Sequence, residues 1–363
     1  MTISTHLEQR IAMLRFLMIF GVVLLHTPPY VPIAHIGTGP FDLLVATIQH
    51  AIFRTSVPVL TFISAYLLFR SGLDQKPVEL TRKKLRSIAI PALVFNLVVL
   101  AGFVLVSELA GKSMTDRQPI AGAQAWLNAA FGLTEAPINY PLNFARDLLV
   151  LMLCAPLMGW LLRKTPWLGL ALVMLVFYFE LDGPLLLRDV MGPVFYIGGM
   201  AAVLRCDMHA LDRYAPAMLA MFGAACAAVI YFRIDNTNCL RLAAPLLVWP
   251  AASLLVPTAF GAWLARMSKY SFFLFLAHAP ILVATSLVYQ RYQAYIPYPV
   301  YWIVAPVLVT MIVVAMYEAA MRAMPQVFPL LIGKRPQPAA PKKEAAPQAS
   351  MPEPLYENEP CLR

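Results

Sequence analysis

The chain has 363 residues, of which 60% are hydrophobic and only 13% charged, and its mean hydropathy is +0.69. Soluble domains hold about 45–50% apolar and about 25% charged residues, so composition argues against a soluble enzyme or a DNA-binding domain. The formal charge of +9 does not point to nucleic acid either. The basic residues form short clusters between apolar runs, as cytoplasmic loops of membrane proteins do.

About 20 apolar residues cross a bilayer core. The sequence divides into such segments at 10–29, 42–69, 86–108, 142–162, 166–181, 189–204, 214–232, 242–264, 270–289 and 298–323. This pattern predicts an all-α, polytopic membrane helix bundle of about ten transmembrane helices. The first segment has a basic flank and an apolar stretch over 16–25. No A-x-A-like cleavage site follows it, but His26-Thr27-Pro28-Pro29, so it reads as a retained span rather than a signal peptide. A weaker amphipathic stretch, 121–131 around Trp126, has the length of an interfacial or re-entrant helix. Pro91, Pro156, Pro193, Pro245, Pro250 and Pro306 lie inside apolar runs, where neighbouring helices satisfy the freed carbonyls. From Lys334 the composition turns Pro-, Ala- and charge-rich. Residues 1–333 are therefore expected to form the membrane domain and 334–363 a disordered cytoplasmic tail.

Orientation follows from the basic residues. Assigning each of the 28 Lys and Arg to its nearer side, with Arg15 inside, puts 20 inside and 8 outside, which predicts N-in, C-in. The longest outer loop, 109–141, is then a lid, an acceptor platform or a plain connector. The five cysteines are scattered and form no C-x-x-C pair, so neither a zinc site nor a disulfide framework is readable. No internal repeat is visible, which counts against a transporter built from inverted halves.

An ionisable residue inside a span is expensive and marks a functional candidate. The first span holds two, Arg15 and His26. Their spacing of 11 is about three helical turns, so both project from nearly one face, roughly 16 Å apart along the axis. The plain alternative is that Arg15 snorkels to headgroups and His26 marks the outer interface.

The Arg-x10-His pattern resembles the signature of the acyltransferase 3 family of polytopic membrane O-acyltransferases. Four further stretches resemble that family in matching order. Ser56-Val57-Pro58 through Ser64-Ala65-Tyr66 is similar to its second-span pattern, with Ala65 where Gly is usual. Arg82-Lys83-Lys84-Leu85-Arg86 is similar to its basic loop before span three. Asn143-Phe144-Ala145-Arg146-Asp147-Leu148 is similar to its Trp-Phe-Leu-Arg-Asp-Leu stretch, with Asn143 and Ala145 as departures. Ser271-Phe272-Phe273-Leu274-Phe275-Leu276-Ala277-His278 is similar to its late Tyr-Leu-x-His segment. The resemblance covers about residues 8–323.

The resemblance implies transfer of an acyl group, acetyl or succinyl, from cytoplasmic acyl-CoA to a hydroxyl of a cell-envelope polysaccharide or glucan, in a bacterial inner membrane. Its compact form resembles the succinyl-transferring members acting on exopolysaccharides and periplasmic glucans. His26 would be the general base, since imidazole moves protons near neutral pH. Arg15, Arg82, Lys83, Lys84 and Arg86 would meet the CoA phosphates, and Ser64 and Tyr66 would lie near CoA. Arg146, Asp147 and His278 would contact the acceptor. Each has a structural alternative: topology for the basic cluster, helix packing for Ser64 and Tyr66, an ion pair for Arg146 and Asp147, a hydrogen-bonded packing histidine for His278. A dicarboxylic acyl group would also need a cation near His26, for which Arg146 and Arg188 are candidates. Asp42, Arg54, Glu180, Asp182, Arg188 and Asp189 share the outer half and read as acceptor contacts or solvated loop ends.

No G-x-S-x-G, H-E-x-x-H, Walker A, G-x-G-x-x-G or His-x4-Asp motif occurs, so serine-esterase, metal, ATPase, dinucleotide and glycerolipid-acyltransferase chemistries lack support. The competing class is a secondary transporter for a small polar solute, which ten spans and buried ionisable residues also suit. The sequence names no oligomeric state.

Overall fold

The computed structural model describes residues 5–110, 120 and 122–334, and among these every regular element is helical. The expected tail, 334–363, thus lies outside the described residues apart from Lys334, as do residues 111–119 and 121 of the 109–141 loop. Among the described residues, six helical stretches are long and apolar enough to cross a membrane: Pro40–Arg70, Pro77–Leu109, Tyr140–Lys164, Asp212–Tyr231, Ala259–Tyr292 and Tyr298–Ala323.

The first helix, α1 (Thr5–Leu25), is as long, but its Glu8, Arg10 and Arg15 set it apart. It ends where Pro28 and Pro29 follow, residues that cannot extend a helix. The second apolar segment is not one regular helix. It runs from α2 (Pro40–Ala46) through a π turn (Thr47–Ala51) and a 3-10 turn (Ile52–Thr55) into α3 (Ser56–Arg70). Turns of this kind re-aim side chains and often occur at functional sites. Next, α4 (Pro77–Lys84) passes through a π turn (Leu85–Ala89) into α5 (Ile90–Ala110). The amphipathic stretch around Trp126 is α6 (Ala123–Phe131).

Three further apolar segments fall on α7 (Asn143–Lys164), α8 (Pro166–Tyr178) and α9 (Met191–Val203), and another on α10 (Ala215–Tyr231). The eighth segment departs from expectation. Instead of one span over 242–264, α11 (Asn238–Ala251) ends in a 3-10 turn, and a separate helix, α12 (Ala259–Met267), begins beyond it. Pro257 lacks an N–H and disfavours helix at the residue before it. The Thr258 hydroxyl accepts from Gly261 N at 2.9 Å and caps the new helix. A short turn then joins α12 to α13 (Ser271–Tyr292), and α14 (Tyr298–Ala323) and α15 (Phe328–Leu331) follow.

One apolar core extends from Leu7 to Ile332. At its centre α9 packs along α3, while α1 packs against α12, α13 and α3. In a bilayer, tight van der Waals fit holds helices together, and small residues provide it. Gly198 of α9 serves this purpose: a Cβ there would approach the Phe62 carbonyl oxygen of α3 to 2.6 Å. The outward faces of α5, α7, α8 and α14 carry exposed Val98, Leu105, Leu157, Trp160, Trp167 and Met311, an apolar surface suited to lipid and not to water. The chain is an integral membrane protein.

Charged pairs clasp helices near the Arg10 end of α1. Arg10 donates to Asp212 at 2.8 and 2.5 Å and lies over the Trp249 ring, while Arg163 donates to Asp74, whose carboxylate is fully buried.

Candidate functional site

Arg15 and His26 sit on α1 and just past its end, as their spacing predicts. His26 N still closes the last turn, bonding to Val22 O at 3.1 Å. The segment beyond is tied down: Gln49 donates to Thr27 O at 2.9 Å, and His50 Nε2 lies 2.9 Å from Val31 O. The partly buried imidazole of His26 is therefore held in place by the π turn of the second apolar segment.

His278 projects from the middle of α13 and is completely buried. Its Nδ1 lies 3.0 Å from both the Leu274 and Phe275 carbonyl oxygens, which only accept, so Nδ1 carries a proton. The neutral ring then has a lone pair at Nε2, and that atom lies 3.2 Å from His26 Nδ1. His26 must donate from Nδ1 to complete this bond. Its own lone pair is left at Nε2, the atom a general base uses. Tyr140 packs edge-on against the His26 ring, with centroids 4.8 Å apart. Tyr140 is placed in turn by Asn139, whose N–H donates to Asn96 at 2.9 Å and whose amide donates to Leu276 O at 3.1 Å.

His26 opens on a cavity of about 250 Å³, walled by Phe53, Phe144 and Phe275 together with Arg54, Arg188 and Arg241. Gly21 makes room for one wall, since a Cβ there would overlap the Phe53 ring. Burial, and after it the neighbouring Arg241, push the Arg188 guanidinium down to about 10, so it is still a cation at neutral pH.

Midway along α1, about three turns before His26, Arg15 is exposed and lies within electrostatic reach of Lys84 on α4. Arg82, Lys83 and Arg86 are exposed nearby in sequence, and what reads as a basic loop is the helix α4 and its π turn. Ser64 is half-buried, but Tyr66 is closed off: its ring is in the core and its hydroxyl accepts from Arg70.

Arg146 and Asp147, expected at the acceptor, have a structural task in this geometry. Arg146 spends all five N–H donors inside the protein. Nε and Nη2 donate to the carbonyls of Gly132, Leu133 and Pro184, and Nη1 donates to Leu185 O and Asp147 Oδ1, all within 2.6–2.9 Å. The fully buried Asp147 also accepts from Leu187 N at 3.2 Å. This pair pins the loops that lead to α7 and α9. No cluster of three or more His, Cys, Asp or Glu suited to a metal occurs among the described residues.

The acyltransferase domain model Acyl_transf_3 matches residues 8–318. The chain belongs to the acyltransferase 3 family. Succinoglycan biosynthesis protein ExoH of Rhizobium meliloti (strain 1021) is 30% identical over 351 residues, spanning 92% of this chain and 94% of that protein. No solved structure matches the chain significantly. The family match runs from α1 into α14, so it covers both histidines and every cavity wall.

For this family member, the sequence singles out Arg15, His26 and His278, and the structure brings the two histidines together. Arg241, however, is not legible in the sequence. Its one signal is an arginine in the first turn of an apolar helix, at the end of the bundle where the positive-inside rule expects few.

Proposed function

We propose that this chain is a membrane O-acyltransferase that moves an acyl group, succinyl or acetyl, from acyl-CoA to a hydroxyl of a cell-envelope polysaccharide or glucan. Family membership supports the acyl transfer, and the likeness to a succinoglycan biosynthesis protein supports the polysaccharide acceptor and favours succinyl. The observation that carries the assignment of the base is the His278-to-His26 hydrogen bond, which leaves His26 Nε2 unprotonated beside the cavity.

In this proposal the bundle lies N-in, C-in in the bacterial inner membrane. Arg15, Lys84 and the exposed Arg82, Lys83 and Arg86 meet the CoA phosphates from the cytoplasm, with Ser64 on the same side. The pantetheine arm runs along the Arg15–His26 face and presents the thioester carbonyl at the cavity. The acceptor enters from the opposite side. His26 Nε2 takes the hydroxyl proton as the oxygen bonds to the carbonyl carbon. The C–S bond then breaks, and the imidazolium returns its proton to the departing CoA thiolate. Direct attack needs no covalent enzyme intermediate and only one proton carrier.

Mass analysis of surface and periplasmic glycans, from cells with and without the gene, tests this reading. A succinyl or acetyl mass increment that depends on the gene is the expected result, and identical glycan masses would overturn it.

A further inference from the structure

The three arginines at the His26 cavity come from three separate elements. Arg54 lies in the 3-10 turn before α3, Arg188 in the loop before α9, and Arg241 in the first turn of α11. Each lies within electrostatic reach of the other two. Three like charges do not gather around a partly enclosed, aromatic-walled space without an anion to offset their repulsion.

Among the described residues, none pairs with them as that anion. Asp147 acts on Arg188 and Asp189 on Arg241, yet neither forms an ion pair with them among the described residues. Asp147 is already held by Arg146 and Leu187 N. Arg54 donates to the Tyr30 hydroxyl and lies over its ring, and Arg241 Nη1 donates to Asn238 Oδ1 at 3.0 Å. The Arg188 guanidinium makes no hydrogen bond among the described residues. Structural arginines in this fold behave differently: Arg146 saturates all five donors, and Arg233 caps the carbonyls of Ile33, Ile36 and Gly37. The cavity arginines keep most of theirs unspent.

We propose that Arg188 and Arg241, aided by Arg54, form a carboxylate-binding subsite that seats the free carboxylate of a dicarboxylic acyl group while its thioester end lies at His26. This rests on the acyltransferase reading above. A guanidinium fork matches a carboxylate in shape and charge, and the apolar rings between the arginines and His26 suit a short methylene chain. The cavity, at about 250 Å³, holds a four-carbon acyl group. CoA phosphates are not the intended anion, because the cluster proposed for them gathers around Arg15, about three helical turns from His26. An acidic acceptor sugar is the other source of a carboxylate.

The test uses the purified full-length protein, with succinyl-CoA and butyryl-CoA as donors of equal chain length that differ by the carboxylate. Wild type, Arg188→Gln and Arg241→Gln are compared, with neutral and carboxylated glycan acceptors. The expected result is a fall of at least about tenfold in the succinyl-to-butyryl ratio of kcat/KM in each variant. If that ratio holds but the preference for the carboxylated acceptor falls, the subsite stands and its carboxylate comes from the acceptor. Equal losses for all combinations overturn the subsite. Equilibrium binding of the two acyl-CoAs needs no turnover and separates this proposal from the reading beneath it. If neither donor is used, the acyltransferase reading fails. The subsite is then decided by whether succinyl-CoA binds more tightly than butyryl-CoA and loses that advantage in Arg188→Gln. Two variants on unlinked elements guard against a local folding defect in one.

Discussion

His278 Nε2 lies 3.2 Å from His26 Nδ1, and this contact fixes which nitrogen of His26 is free. A hydrogen-bond relay runs from two backbone carbonyls of α13 through His278 and His26 to the cavity. His278 touches no space open to substrate, since it is fully buried. In the proposed mechanism it is a positioning residue that acts through its partner.

Replacing His278 by Phe keeps a ring of similar volume and removes the acceptor at Nε2. His26 then loses its preference for the productive tautomer. The expected fall in kcat is about 10²- to 10⁴-fold, the range that correct general-base catalysis contributes. The KM for the acyl donor should hold steady, because the basic cluster proposed for the donor's phosphates does not include His278. Steady-state kinetics with the donor varied separates the two parameters. A change confined to KM would assign His278 to binding instead.

Arg146→Ala should act on stability before chemistry. It strips four carbonyls of their donor and leaves the buried Asp147 carboxylate unpaired. Breaking a buried pair by removing one partner costs about 3–5 kcal/mol. Thermal unfolding of the detergent-purified protein should show a marked drop. Arg146→Lys should fail to rescue it, since an ammonium has three donors and cannot span the same five sites.

Arg15 and Lys84 lie within electrostatic reach of one another, on separate helices. If they share one phosphate, Arg15→Ala and Lys84→Ala should each weaken acyl-CoA binding about tenfold, or roughly 1.4 kcal/mol. The double variant should lose less than the product of the two, because the remaining cation no longer has an ordered phosphate to grip. Calorimetric titration of acyl-CoA into the four proteins reads this directly.

Gly21→Ala should displace Phe53, whose ring occupies the space a Cβ would need. The cavity wall moves with it, so acyl transfer should fall while the fold persists. Adding Phe53→Ala should recover part of the loss by opening room for the new methyl group. Strict additivity of the two changes would show that Gly21 matters for another reason.

How much of this was legible in the sequence depended on whether a residue's partner lay on the same helix. Arg15 and His26 are linked by helical spacing, so one segment sufficed to pair them. His278 is 252 positions from His26. The resemblance places it near the acceptor, and the structural alternative is a hydrogen-bonded packing histidine. The structure shows it hydrogen-bonded indeed, with His26 itself as the partner. Arg146 and Arg188 were equal candidates for a cation near His26, and nothing local distinguishes them. The loops at Gly132 and Pro184 that exhaust Arg146 are brought together only by tertiary packing. Arg54 is legible as an outer-half acceptor contact or solvated loop end, but not as a cavity wall, because hydropathy does not reveal a π turn followed by a 3-10 turn. The break at Pro257 was readable in principle, since Pro followed by a capping Thr is a helix-stop and helix-start signal. The apolar residues on both sides masked it.

Acyl transfer by purified His26→Ala protein, at matched concentration and with the wild-type melting profile, is the decisive measurement. Loss of the acyl mass increment on the acceptor glycan, with acyl-CoA binding retained, is the result expected if His26 is the base. Transfer continuing near the wild-type rate would contradict that role and leave the His278 contact without a catalytic purpose.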